Sequence, residues 1–289
     1  MPSHPNSTAT SFISTSHHDS YPAIAQSNQR GRTVLITGAS KGIGRAAAVS
    51  FAKAGAANII ITGRSSLDEV EQEIFSAAPS SIAPEVLKLK LDVSSESSVA
   101  KALAAVEEKF DHVDILVNNA GYLEDWKPMA ETDPAEWWKT WEVNIKGVYL
   151  VTRAFLSLLL RGSEKTIVNL SSIGAHLVTP GASAYQTTKF ALLRFTEFVA
   201  TEYADQGIVA FSIHPGGVPT ELALNLPEAF HTSLVDTPQL AGDSVAWLTQ
   251  ARKEWLSGRY VSVTWDLPEL VLKRDEIVEG DKLKMRIVL

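Results

Sequence analysis

The feature that most constrains this chain is its alternation of short apolar runs with longer helical windows, sustained from Arg32 onward. The runs are TVLIT (from Thr33), NIIIT (from Asn58), VLKLKLDV (from Val86), VDILVNNAG (from Val113), TIVNLSS (from Thr166), IVAFSIHPGG (from Ile208) and GRYVSVT (from Gly258). Each has strand length and β-branched content and is bounded by turn-forming residues. The longest helical windows run from about Pro134 to Leu160 and from Ala184 to Gln206. Ser94-Ser95-Glu96 reads as the cap of another helix. Strand, helix, strand in repetition predicts a parallel sheet with helices on both faces and right-handed crossovers.

Bulk properties narrow the function classes. With 289 residues, 45% hydrophobic and 20% charged, the chain fits one large α/β domain or two small ones. A net charge of -7 argues against a nucleic-acid partner. No uninterrupted apolar run reaches membrane-spanning length, and FLSLLL at Phe155 to Leu160 reads as core helix, so no membrane association is expected. The absence of cysteine excludes disulfides, thiolate chemistry and Cys-based zinc sites, and it is compatible with the reducing cytoplasm, the expected location.

Residues 1–30 are rich in Ser, Thr, His and Pro and read as a disordered leader. They lack the basic start and apolar middle of a secretory signal, and Arg30 is their only arginine. His4, His17 and His18 read as solvated tail histidines, and no metal site is expected. Residues 265–289 form an extension with no evident place in the sheet.

Two stretches carry chemistry. The first strand runs into TGASKGIGRAAA, where Gly38, Gly42 and Gly44 let the backbone approach a pyrophosphate at a helix N-terminus. The spacing, G-x-x-x-G-x-G, differs from the common dinucleotide fingerprint. Farther on, Tyr185-Gln-Thr-Thr-Lys189 puts a phenol and an ammonium on one helix face. By itself that spacing is equally a packed ring beside a snorkelling lysine.

Taken together, Gly38-x-x-x-Gly42-Ile43-Gly44, NNAG at Asn118 to Gly121 and Tyr185-x-x-x-Lys189 resemble the short-chain dehydrogenase/reductase family over roughly residues 31–263. The resemblance implies a single Rossmann-type domain, a doubly wound α/β fold with a seven-stranded parallel sheet, spanning residues 31–264. It also implies a nicotinamide dinucleotide at the carboxyl ends of the strands. Cofactor contacts then fall to Gly38, Ser40, Lys41, Gly42, Ile43 and Gly44, and to Arg64 after the second strand. Asp92 and Val93 follow the third strand, Asn118, Ala120 and Gly121 the fourth, and Pro215, Gly216, Val218 and Thr220 the sixth. Tyr185 and Lys189 are shared between cofactor and chemistry. Gly63 stands where NAD-preferring relatives carry aspartate, and Arg64 and Lys41 supply two cations without a carboxylate, so NADP(H) is the expected cofactor.

The family's catalytic serine precedes the tyrosine by thirteen residues, which selects Ser172 over Ser171. Asn144, in N-x-x-G, matches the residue that distorts its helix and holds a water joined to the lysine. The implied chemistry is reduction of a carbonyl, or the reverse oxidation of an alcohol. Tyr185 would act as proton donor, Ser172 would polarise the oxygen, and Lys189 would lower the phenol pKa. A substrate lid is expected near residues 219–235, with Leu222, Leu224, Leu226 and Phe230. Together with Tyr122, Trp126 and His176 it would form an apolar pocket for a medium-sized hydrophobic or aromatic ketone, although His176 fits a loop-filling role better. Family habit suggests a homodimer or homotetramer. The rival readings are a non-catalytic NADPH sensor and a biosynthetic enzyme of epimerisation, dehydration or cyclisation.

Overall fold

The computed structural model describes residues 11–287. Seven strands form one parallel sheet: β1 (Thr33–Ile36), β2 (Asn58–Gly63), β3 (Glu85–Lys90), β4 (Ile115–Asn118), β5 (Thr166–Leu170), β6 (Val209–His214) and β7 (Tyr260–Ser262). Their order is β3-β2-β1-β4-β5-β6-β7. Each of the seven expected runs coincides with one of them, β2 and β3 each extending one residue outside the run, and the chain is a single α/β domain of Rossmann type.

Strand side chains alternate between two cores. Val34, Ile36, Ile59, Ile61, Ile115 and Val117 pack into one layer with the helices Gly42–Lys53 and Pro238–Thr249. Leu35, Ile60 and Leu116 point the other way, onto Val106, Val151, Phe155 and Leu159 of the helices Glu96–Lys109 and Val148–Arg161. A strand covered on both faces has no solvent side, which is why the sequence shows continuous apolar runs. The outer strand β3 is the exception, exposing Lys88 and Lys90 in alternation; charges of this kind protect a sheet edge. Strand order reverses between β1 and β4, and the resulting crevice at their carboxyl ends positions the site.

Residues 11–30, expected to be a disordered leader, belong instead to the body of the protein; residues 1–10, including His4, lie outside the described residues. Ile13 and Ile24 are buried, and Ser16 bridges Trp265 in antiparallel fashion. His17 pairs with Asp266 at 2.9 Å and His18 with Asp236 at 2.6 Å, so both are tied to the body of the protein, although His18 keeps most of its surface in solvent. The C-terminal extension covers its own sheet edge, with Trp265, Leu267, Leu270 and Ile277 buried and Tyr260 N donating to Leu283 O at 2.9 Å. Each terminal segment alone has too few apolar residues to order itself, and both join the core layer that holds Val34, Phe51 and Val245.

One continuous helical stretch, Pro134–Arg161, is 28 residues long and apolar enough to cross a membrane. In this fold its Phe155, Leu158 and Leu159 are fully buried under the sheet, as in a core helix.

Candidate active site

The loop after β1 enters a cleft of about 480 Å³ at the carboxyl ends of the strands. Gly38 (φ +65°) and Gly42 (φ +58°) adopt left-handed backbone. A Cβ at Gly38 would sit 2.9 Å from Ala120 Cα, and one at Gly42 would sit 3.0 Å from Thr220 Cγ2. Glycine is therefore required twice over, by conformation and by space. Ser40, Lys41 and Ile43 line the same wall, where the helix Gly42–Lys53 begins. A cradle of small residues against a helix N-terminus fits a dinucleotide pyrophosphate.

The other walls come from the expected turns. Arg64, Asp92, Val93, Ala120, Gly121, Pro215 and Thr220 all line the cleft. Asp92 accepts from Ser94 N at 3.0 Å and Ser94 Oγ at 2.7 Å. These bonds, chiefly the side-chain one, hold its carboxyl below the usual range, with a smaller push from the Arg64 charge. Gly44 packs against the Asn119 amide behind the loop, and Val218 is buried.

Asn118 departs from expectation. It shares a strand face with Leu116 and points into the protein, its Nδ2 donating to Thr152 Oγ1 at 3.0 Å and Asn169 Oδ1 at 2.9 Å. Asn169 continues to Thr196 at 2.9 Å, and Thr196 to Ser212 at 2.7 Å, so Asn118 is one end of a buried polar chain. Its neighbour Asn119 lines the cleft instead, and its Nδ2 ties β4 to the glycine loop through Thr37 O (2.8 Å) and Gly38 O (2.9 Å). The period-two alternation of the strand was the signal that separates these two asparagines.

The helix Ser183–Glu202 carries Tyr185 and Lys189 to the inner end of the cleft. Lys189 Nζ lies 5.5 Å from the Tyr185 ring centroid and donates to Leu170 O at 2.7 Å. Ser172 caps the turn Ile173–His176, its Oγ accepting from Gly174 N at 3.0 Å, and its side chain hydrogen-bonds Tyr185. Ser171 is buried and donates to Lys189 O at 2.9 Å, so its hydroxyl is committed to holding the helix.

Burial sets the acidities here. It pushes the Tyr185 phenol up to about 12, with the Glu124 charge adding and the Ser172 bond opposing. It pushes Lys189 down to about 8. The expected lowering of the phenol by Lys189 is therefore not what this arrangement produces. The ammonium is spent on a carbonyl, and desolvation of the phenolate outweighs it.

Asn144 is fully buried within a π-helical turn, Glu142–Gly147, so the helix is distorted where the sequence suggested. Its side chain accepts from Tyr122 N at 2.8 Å and donates to Tyr122 O at 2.9 Å and Thr188 Oγ1 at 3.1 Å. Both of its donor hydrogens are thereby used.

At the outer end the expected cation pair has company. Lys41 and Arg64 both line the cleft, but Lys41 Nζ is bound to the Glu221 carboxylate. Glu221 is 180 positions away in sequence, and no local pattern announces it.

Among the substrate-side residues, Leu222 lines the cleft, and Trp126 meets Phe230 of the lid edge-on at 5.1 Å. The segment expected to be a lid contains two short turns, Ala223–Asn225 and Glu228–Ser233. Leu224 is exposed. Tyr122 turns its hydroxyl to Glu136 and Lys139, away from an apolar pocket. His176 packs edge-on to Tyr260 at 4.4 Å, in the loop-filling role. Among the described residues no group of three or more His, Cys, Asp or Glu could hold a metal.

Known proteins resemble this chain in sequence and fold. A family model for short chain dehydrogenase matches residues 32–229. Short chain dehydrogenase mpl6 of Monascus purpureus is 57% identical over 289 residues, covering 99% of both chains. Short chain dehydrogenase andI of Emericella variicolor is 51% identical over 276 residues, covering 95% of both. Among solved structures, a 3-ketoacyl-(acyl-carrier-protein) reductase from Brucella melitensis complexed with NADH superposes with a TM-score of 0.72 at 28% identity. It covers 82% of this chain and 98% of that one. With the glycine cradle, the sheet order and these relatives in agreement, the chain belongs to the short-chain dehydrogenase family, oxidoreductases whose fold implies a nicotinamide cofactor.

Proposed function

We propose that this protein is an NADPH-dependent carbonyl reductase acting on a medium-sized hydrophobic or aromatic ketone or aldehyde, with alcohol oxidation as the reverse reaction. The observation that carries the reading is the single cleft that joins Tyr185 and Lys189 at one end to Arg64 and Lys41 at the other. The residues fit a dinucleotide through the glycine cradle, and a bound nicotinamide supplies the hydride.

The chain's own groups do the rest. Ser172 donates a hydrogen bond to the substrate oxygen as charge develops there. Tyr185 gives that oxygen its proton and completes the alcohol. A phenol raised to about 12 remains protonated at neutral pH, which suits the direction of reduction. Lys189 at about 8 remains largely an ammonium and can bind ribose hydroxyls while it refills the proton. Asn144 has no side-chain donor left, so its part is to hold the π turn and the Tyr122 backbone behind Lys189.

Arg64 and Lys41 would bind the 2′-phosphate. Trp126, Leu222 and Phe230 would form the apolar wall. We place the enzyme in the cytoplasm as a homodimer or homotetramer, joined through the helices that expose Tyr149, Phe190 and Phe198, which gel filtration tests. The deciding experiment follows absorbance at the nicotinamide wavelength over a panel of ketones with NADPH and NADH. Consumption with NADPH preferred supports the reading. Tight dinucleotide binding without consumption would instead favour a sensor.

A further inference from the structure

We infer that the N-terminal segment is part of the cofactor site: His18 acts through Asp236 to position the turn Pro215-Gly216-Gly217. The inference rests on the proposed dinucleotide site. His18 and Asp236 both lie outside the residues 32–229 matched by the family model.

The contacts run in sequence from surface to cleft. His18 Nδ1 bonds Asp236 Oδ1 at 2.6 Å. The other oxygen, Asp236 Oδ2, accepts from Gly217 N at 2.6 Å, while Asp236 N donates to Gly217 O at 2.9 Å. Gly216 has φ +89°, and a Cβ there would lie 2.7 Å from Asp236 Oδ2, so the carboxylate is pressed directly against the turn. Pro215, the next residue back, lines the cleft beside Tyr185 and Lys189.

The segment is also fastened on either side of this bond. Thr237 N donates to His18 O at 2.9 Å, and Thr237 Oγ1 donates to Asp19 Oδ1 at 2.6 Å. Ser20 Oγ donates to Asp243 Oδ2 at 2.5 Å, and the other oxygen of Asp243 accepts from Ser50 Oγ at 2.6 Å. Ser50 belongs to the helix that starts at the glycine loop. The segment therefore ties the Pro215 turn and the phosphate helix into one unit. Asp236 has 5% side-chain exposure against 65% for His18, so the carboxylate has given up solvent and depends on the partners named. Both are positioning residues, since neither lines the cleft.

The position of the Pro215 turn makes a selective prediction. In the proposed site it borders the cleft with Tyr185 and Lys189, where the nicotinamide would react, whereas 2′,5′-ADP would need only the glycine loop, Arg64 and Lys41. The experiment measures dissociation constants of full-length protein for NADPH and for 2′,5′-ADP. Asp236→Ala is expected to weaken NADPH about tenfold, the equivalent of one charge-assisted hydrogen bond. His18→Ala, partly screened by solvent, is expected to weaken it about threefold. Binding of 2′,5′-ADP should stay within about twofold for both, since a local contact is lost at one end only. His18→Asn, whose amide nitrogen takes the place of Nδ1, should restore NADPH binding. Equal losses for the two ligands, no loss for NADPH, or failure of the asparagine variant to rescue would overturn the inference. A wild-type protein that binds neither ligand would overturn the cofactor reading and this inference with it.

Discussion

The two ends of the cleft are built on different principles. At the inner end Lys189, Ser171 and Asn144 are buried and their hydrogen bonds are committed to backbone or helix neighbours. At the outer end Lys41 and Glu221 are mostly exposed and, among the described residues, pair with each other. A group fixed by packing has one geometry, and its loss is severe. A group fixed by solvent-screened charge has a graded effect that a neighbour can tune. Chemistry should therefore respond steeply to substitution, and cofactor choice gradually.

The steepest response is expected from Tyr185→Phe, which keeps the ring and removes the proton. Turnover measured with saturating NADPH and ketone should drop about 100- to 10,000-fold, as for other positioned acids. Near-normal turnover would remove the inner end from the chemistry. Next comes the serine pair. Ser172→Ala should cost about 100- to 1,000-fold if its hydroxyl serves the developing oxyanion. Ser171→Ala should be mild in rate, because that hydroxyl is given to the Lys189 carbonyl even though the residue borders the cleft. The opposite ranking would exchange their roles.

Arg64→Asp tests the outer end. It would remove the proposed charge-assisted partner of the 2′-phosphate and install an acceptor for a bare ribose. The ratio of kcat/KM for NADPH over NADH should fall about 10- to 100-fold. A ratio that does not move would detach cofactor choice from this residue. The NADH-bound reductase among the similar structures makes that measurement informative, because that relative carries a dinucleotide without a 2′-phosphate.

A pH profile then separates the inner pair. The Tyr185 proton is retained to about pH 12, but the Lys189 ammonium is lost as pH rises through about 8. The active form for reduction carries both protons. Reduction should therefore be level below pH 8 and fall above it, by about tenfold at pH 9 for a single titrating group. Lys189→Arg retains its charge and should remove the decline if any activity survives. An inflection that stays in place in the arginine variant would assign it to another group.

How much of this was legible in the sequence follows the same division. The seven runs, the glycine loop and the Tyr185–Lys189 spacing are local patterns, each dictated by strand, turn or helix period. Asn118 and Asn119 were separable only by strand parity, which turns one inward and the other to the cleft. Residues 11–30 read as disordered because Phe12, Ile13 and Ile24 are few among Ser, His and Asn and show no period. Their order comes from partners more than 200 positions away, such as Glu269 for Ser14 and Asp236 for His18. The raised phenol was equally hidden, since burial is a property of the fold and not of the four-residue spacing.

The smallest expected effect sharpens the comparison most, because it concerns the Glu221 carboxylate that sequence alone did not place. Glu221 holds Lys41 on the cleft wall, and it competes with any phosphate for the same ammonium. Exposed pairs of this kind are worth at most about 1 kcal/mol, so the competition is weak. Glu221→Gln keeps the size, removes the charge and frees Lys41. It should strengthen NADPH about two- to fivefold while leaving NADH unchanged, since only one ligand carries the extra phosphate. The gain should shrink as salt rises, because both partners face solvent. Weaker NADPH binding in this variant would mean that Glu221 orients Lys41 for the phosphate. The outer end would then be preorganised like the inner one, and the contrast between them would fail.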